Sequence, residues 1–292
     1  MSTIKQKKLA KWALFITVLS WASVFVCIRF TLEAYTPGPL ALFRYLVASV
    51  SMIPFFYYFK QATRPAWRNI LFAMCLGILA FAVYGVLLNQ GEKTITAGVA
   101  SFIIGLNPIF VTLFACWLYH EKFNRYMQAG LFISFCGLCL ILMGETHLGF
   151  DINILLLLIA SMVVGSYALL QKPLLARMNA VEFTAYAIWG GTLSMFMFLP
   201  ELGSQILQAS FLQTSVVIYM GIVPSAIGYI CWSYGFKHLP ASQAINFLYA
   251  LPFFCILIAF LFLHEIPPLI SLGGGILAML GAIVVNKYSI KH

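Results

Sequence analysis

Apolar residues in this chain fall into long unbroken runs divided by short polar links. The pattern is neither the alternation of a half-buried strand nor the one-sided stripe of a soluble helix. Crossing a bilayer core takes about 20 apolar residues. Ten runs qualify: 12–30, 39–59, 68–90, 96–119, 126–144, 152–172, 182–200, 213–236, 241–263 and 267–287. The links carry Pro, Gly or charge, as in TPGP and PAWRN. The expected fold is an all-α integral membrane protein of ten transmembrane helices. The N-terminal MSTIKQKKLAKW has the outline of a signal peptide. The apolar run behind it is long enough to span, however, and no clear small-x-small cleavage site follows, so it reads as an uncleaved first helix.

Composition agrees with the runs. Apolar residues make up 62% of the 292 and charged residues 9%, against about 25% charged in an average soluble domain. So few charges cannot clothe a soluble fold, and the apolar surplus must face lipid. The net charge of +9 would suggest nucleic acid in a soluble protein. Here the basic residues sit in short links and act as topology signals, so no nucleic-acid partner is expected. With the N-terminus inside, 14 of the 17 Lys and Arg are cytoplasmic and only Arg29, Arg44 and Lys93 are not. Glu33, Glu145, Asp151, Glu201 and Glu265 fall in the external links. An even helix count then puts both termini in the cytoplasm, and the expected location is the inner (plasma) membrane. All seven cysteines lie inside apolar runs. Cys136 and Cys139 form a C-x-x-C in mid-helix, which reads as packing, with no disulfide framework implied.

The chain also matches itself at a shift of 144 residues. Gly77 falls on Gly221, Gly91 on Gly235, Lys93 on Lys237, Pro108 on Pro252, His120-Glu121 on His264-Glu265, Gly130 on Gly274 and Gly137 on Gly281. This divides the chain into residues 1–144 and 145–292, five expected helices each. An odd number of helices makes the second copy enter the membrane from the opposite side. Such inverted repeats give secondary transporters two alternative faces around a central site.

Helix one carries SWASVFVCIR and helix two LALFRYLVA. AGVASFIIGLNPIFVTLFACWLYHEKFNRYMQAGLFISFCGLCLIL spans helices four and five, and ASQAINFLYALPFFCILIAFLFLHEIPPLISLGGGILAMLGAIVVN is its second copy. On these segments the chain resembles the drug/metabolite transporter superfamily, in its ten-helix EamA-type branch. The resemblance implies a transporter that exports amino acids, metabolites or drugs, or imports metabolites and nucleotide-linked compounds. It also implies a central cavity lined by helices one, three, four, six, eight and nine, with helices five and ten peripheral.

Polar groups inside a bilayer are costly and each needs a reason. Arg44 lies near the external end of helix two. It either snorkels to the interface or pairs with a substrate carboxylate, Glu33 or Glu92. Arg29 and Glu92, at external helix ends, are candidate gate partners or ordinary interfacial charges. Aromatic and amide groups that stand together would suit an amphipathic solute. On that ground Trp21, Tyr84, Asn89, Gln90, Asn107, Tyr167, Gln171, Trp232, Asn246 and Tyr249 join Arg44 as candidate substrate contacts. Trp189, Tyr229 and Tyr234 are weaker ones. Pro108 and Pro252 interrupt helices four and nine at equivalent places and are candidate hinges or structural kinks. Glu121 and Glu265 read as gate or structural residues at the turns that follow. A histidine beside each could suggest a metal, but sequence neighbours do not share a helix face, so neither metal nor cofactor is expected. The glycines of helices five and ten suit close packing within the monomer, or a weak homodimer.

No acidic residue lies deep in any of the ten runs, which argues for facilitated diffusion or exchange, although Glu92 or a histidine could serve proton coupling. No phosphate-binding G-x-x-x-x-G-K-[ST] loop is present, so ATP does not drive this chain directly. The leading reading is a secondary transporter working by alternating access, with a small-molecule substrate and export of amino acids or similar amphipathic compounds. Multidrug efflux and uptake of a nucleotide-linked metabolite such as S-adenosylmethionine are the alternatives. A membrane-embedded lipid enzyme would need a nucleophile or metal constellation at one interface, and the polar residues are instead scattered along both halves.

Overall fold

The computed structural model describes residues 3–59, 65–119, 124–145 and 151–289. Glu121, with its neighbouring histidine, lies outside them. The described residues form helices joined by short links, with no strand among them. They are α1 (Thr3–Thr31), α2 (Pro37–Phe59), α3 (Trp67–Gly91), α4 (Ala97–Ile104), α5 (Asn107–Tyr119), α6 (Arg125–Glu145), α7 (Ile152–Leu175), α8 (Ala180–Ser194), α9 (Leu199–Gln208), α10 (Phe211–His238), α11 (Ala241–Asn246), α12 (Leu251–Leu263) and α13 (Leu269–Ser289).

Side chains cap several starts. Asp151 accepts from the Asn153 amide, and Asn179 accepts from the amides of Val181 and Glu182. Ser210 and Gln213 close a capping box at α10. Each bond satisfies a backbone donor that the helix itself leaves open.

Among the described residues, seven helical segments are long and apolar enough to cross a membrane. The other three expected runs take different forms. Run 96–119 is interrupted at Gly105–Leu106 between α4 and α5, and run 267–287 is the 21-residue α13. Run 182–200 ends early. The 15-residue α8 stops at Ser194, and after a tight turn α9 begins. Pro200 sits in the first turn of α9, where its missing N–H costs nothing. Thr36, at the mouth of α2, bonds to Glu201 and Gln205 of α9.

Two helices carry an internal wide turn. Ile78–Val83 within α3 and Gly221–Ile227 within α10 are π-helical, and adding 144 to the first gives 222–227. In α10 the cause is visible: Pro224 lies inside the turn and cannot donate the regular bond.

Close packing falls where the small residues are. α6 lies against α13. A Cβ at Gly137 would stand 2.5 Å from the Gly274 carbonyl oxygen, and one at Gly281 2.4 Å from that of Gly130. Ser134 adds a 2.9 Å bond to the Ala278 carbonyl. These glycines therefore serve contact within the chain. α3 meets α8 in the same way: a Cβ at Gly77 would stand 1.8 Å from the Ala187 oxygen. The remaining helices surround one buried core running from Ala10 to Ala259.

Candidate functional site

Irregular backbone gathers at the middle of the bundle. The break between α4 and α5 brings Ile104, Gly105 and Asn107 to a small internal cavity, and the tight turn between α11 and α12 brings Leu248 and Leu251. Trp21, Val24 and Phe25 of α1, Arg44 of α2, Tyr84 of α3, Val164 of α7 and Tyr229 of α10 complete its wall. Tyr84 follows the wide turn of α3 and Tyr229 that of α10, so each turn re-aims an aromatic at the same space. The cavity volume is about 40 Å³, room for a few waters and no metabolite. The conformer is closed around its centre.

Arg44 dominates the electrostatics. It is 3% exposed, so it does not snorkel to the interface. Its Nε donates to Ser225 Oγ at 2.7 Å, and its guanidinium carbon lies 4.9 Å from the centre of the Tyr45 ring. Among the described residues no carboxylate forms an ion pair with it; the salt bridge they contain joins Arg29 to Glu265. A buried cation without a counter-ion is expensive to hold. Around it the aromatic rings interlock: Trp21 and Tyr229 at 4.8 Å, Phe81 and Tyr229 at 4.7 Å, Tyr45 and Phe81 at 5.0 Å. Trp21 donates to the Pro224 carbonyl, a residue inside the α10 turn.

The residues singled out in the sequence separate here. Trp21, Arg44, Tyr84 and Asn107 share the cavity wall. Tyr167 stands behind it, 6.5 Å from Tyr229, and Trp232 packs 5.3 Å from Trp21. Gln171 lies one turn beyond Tyr167 on α7 and is wholly buried. Asn89, Gln90, Asn246 and Tyr249 are not on the wall. Asn89 donates to the Pro37 carbonyl, and Tyr249 Oη to that of Ala282. Gln90 is half-buried near the end of α3, and Asn246 is exposed. Pro108 sits in the first turn of α5, after the turn at Gly105–Leu106, whereas Pro252 follows the 3-10 turn Phe247–Ala250 inside the continuous helical stretch Gln243–Leu263. Helix two joins the cavity through Arg44, beyond the helices that the resemblance implied. Tyr229 and Ser225 were the residues missed as leading candidates. Their signal was the neighbourhood of Pro224 within an apolar run.

Each end of the bundle is tied by a cation on backbone carbonyls. At the end opposite the N-terminus, Arg29 Nη1 donates to the carbonyls of Glu92 (2.8 Å) and Lys93 (2.9 Å), while its Nε meets Glu265 at 3.1 Å. Arg29 thus takes the backbone oxygen of Glu92, and its side-chain partner is Glu265. Both carboxylate oxygens of Glu92 are buried without a hydrogen-bond partner among the described residues. Burial holds that carboxyl well above the usual carboxylate range; Arg29 opposes the effect and Glu265 adds to it. At the end near the N-terminus, Lys172 Nζ donates to the carbonyls of Phe236 and Leu239 and lies 5.1 Å from the Phe236 ring centre. Lys237 Nζ reaches the Met178 carbonyl at 2.8 Å. Adding 144 to Glu92 gives Phe236, so equivalent carbonyls are clasped at opposite ends.

A family model for the EamA-like transporter family matches residues 8–143 and again 151–287. The chain belongs to the EamA-like transporter family. This EamA-like chain is 37% identical over 280 residues to the uncharacterized transporter YdfC of Bacillus subtilis, covering 93% of this chain and 91% of that one. It is 34% identical over 283 residues to a probable terminal-alkyne amino-acid exporter of Streptantibioticus cattleyicolor, covering 95% and 93%. A solved crystal structure matches its fold with a TM-score of 0.66 at 18% identity, over 96% of this chain and 97% of that chain. The drug/metabolite transporter resemblance thus holds, and the EamA-like protein is a multi-pass membrane transporter. Among its described residues no three His, Cys, Asp or Glu side chains gather to hold a metal.

Proposed function

We propose that this protein is a secondary transporter of the inner membrane that exports amino acids or similar amphipathic metabolites, with substrate bound in the central cavity. The observation that carries the reading is Arg44, a buried guanidinium without a carboxylate partner among the described residues, facing a wall of aromatic rings. A solute carboxylate supplies the missing counter-charge by charge-assisted hydrogen bonds, and Trp21, Tyr84 and Tyr229 receive its apolar part. Asn107 offers a polar group on the same wall. The exporter of Streptantibioticus cattleyicolor, named for an amino-acid substrate, supports the same class. A multiply anionic nucleotide-linked compound fits less well, since Arg44 is the one cation on that wall.

Alternating access follows from ten transmembrane helices arranged as two inverted five-helix repeats, residues 1–144 and 145–292. Supporting this are contacts that recur at a shift of 144: Gly130 with Gly281 and Gly137 with Gly274, the two wide turns, and the two cation clasps. The basic links set both termini in the cytoplasm, so the Arg29 end faces outward. Pro108 and Pro252 start the half-helices that swing about the two turns. Glu92 and Glu265 belong to the outer gate, and the sequence alone supports Glu121 as a gate or structural residue. The working unit is the monomer, since the glycine faces of α6 and α13 are spent on each other.

The test is a thermal-shift titration of the detergent-purified protein with leucine and phenylalanine, beside phenethylamine, which lacks the carboxylate. The expected result is stabilisation by the amino acids only, lost in Arg44→Ala. Stabilisation confined to hydrophobic cations and indifferent to Arg44→Ala would replace this reading with drug efflux.

A further inference from the structure

Glu92 is the most enclosed acidic group in the described chain. It is 0% exposed, and neither carboxylate oxygen has a hydrogen-bond partner among the described residues. Its backbone carbonyl is held by Arg29 Nη1, and Arg29 Nε donates to Glu265. The closest cation is thus already engaged while this end of the bundle is shut. The titratable and charged groups around Glu92 are Cys27 and Arg29 on α1, Arg44 on α2, Tyr84 and Lys93 on either side of it in its own segment, and Cys255 and Glu265 on α12 and the link after it. Asp151, at the start of α7, bonds to Thr94 and the Asn153 amide. An ionised carboxylate in this enclosure would lack both water and a donor, which favours the neutral form.

We propose that Glu92 is a proton-binding site of the outer gate: the Arg29–Glu265 clasp closes over a protonated Glu92, and the gate opens as that proton leaves. The proposal rests on the transporter reading above. No bond other than O–H changes. On opening, the proton passes from the carboxyl to water. The exposed carboxylate is then hydrated, and Arg29, no longer held by the carbonyls of Glu92 and Lys93, can approach it as a counter-charge. Closure reverses the step and takes up one proton. The sign follows from linkage. In the open gate a hydrated carboxyl titrates near its ordinary value of about 4.3, whereas in the closed gate burial raises it. The closed form therefore binds more protons, and raising the pH through the interval between the two values favours opening. The N-terminal end has Phe236 at the equivalent position, so no buried acid stands at its clasp.

Two measurements on the full-length purified protein test this without a substrate. The first is infrared titration of the protonated-carboxyl band. The wild type should retain a band above pH 6 that Glu92→Gln lacks. The second is hydrogen–deuterium exchange of residues 86–98, corrected for intrinsic rates. In the wild type, opening should rise about tenfold per pH unit, the slope of a one-proton equilibrium. Glu92→Gln should flatten that slope, and Glu92→Asp should keep it. A wild-type band that vanishes by pH 5, or a Glu92→Gln profile that follows the wild type, would overturn the proposal. Should Glu92→Gln fail to fold, the wild-type band and the Glu92→Asp profile still decide. A wild type without the pH slope but with amino-acid stabilisation through Arg44 would sink the gate alone; a wild type with the slope but without that stabilisation would sink the transport reading alone.

Discussion

The two ends of the bundle are tied by the same device built from different residues. At one end an arginine spans two carbonyls and a carboxylate, next to a buried acid. At the other a lysine spans two carbonyls beside a phenyl ring. The backbone contact is conserved across the shift of 144, and the side chain at the clasped residue is not: Glu92 against Phe236. Carbonyls cannot titrate, so among the clasped residues Glu92 brings a titratable side chain where Phe236 brings none. The acid adds chemistry at one end only. A near-symmetric scaffold can thus treat its two sides differently through single substitutions at equivalent positions.

Removing both clasps should have the largest effect. Arg29→Ala with Lys172→Ala strips several charge-assisted bonds, at about 2 kcal/mol for each clasp. The melting midpoint of the double variant should fall well below that of either single variant. A double variant no less stable than Lys172→Ala alone would show that the Arg29 clasp contributes nothing. Next comes Lys172→Ala alone, which leaves the Phe236 and Leu239 carbonyls without their donor; a loss of about 2 kcal/mol should appear in denaturant melts. The smallest effect is Glu265→Gln. The pair it breaks is part-exposed, and such pairs contribute about 0–1 kcal/mol. The melting midpoint should barely move, while the Arg29 end becomes easier to open. A loss as large as that of Lys172→Ala would mean that the outer clasp rests on its ion pair and not on the carbonyls.

The same asymmetry shows what a sequence can reveal. Runs of apolar residues located the helices, and the shift of 144 marked the equivalent turns before Pro108 and Pro252. Run 182–200 misled because hydropathy does not register where a helix ends: Pro200 and the polar positions of α9 begin a new helix inside an apolar stretch. The wide turns left no sign beyond Pro224 and the paired Gly77 and Gly221. For the site, a polar residue in an apolar run was a sound signal of burial but could not name its partner. Arg44 and Asn89 look alike in sequence. One faces the cavity, and the other is spent on the Pro37 carbonyl. Glu92 looked peripheral because it ends a helix. Position along a helix says little about enclosure when α2 and α7 pack beside that end and Arg29 of α1 bridges it to Glu265.

The most direct test of the account is whether the two ends open in alternation. Hydrogen–deuterium exchange at residues 86–98 and 234–240 should be compared among the wild type, Arg29→Ala and Lys172→Ala at one pH. Alternating access predicts opposite responses: Arg29→Ala raises exchange at 86–98 and lowers it at 234–240, and Lys172→Ala does the reverse. Variants that loosen both ends together, or only their own, would contradict it.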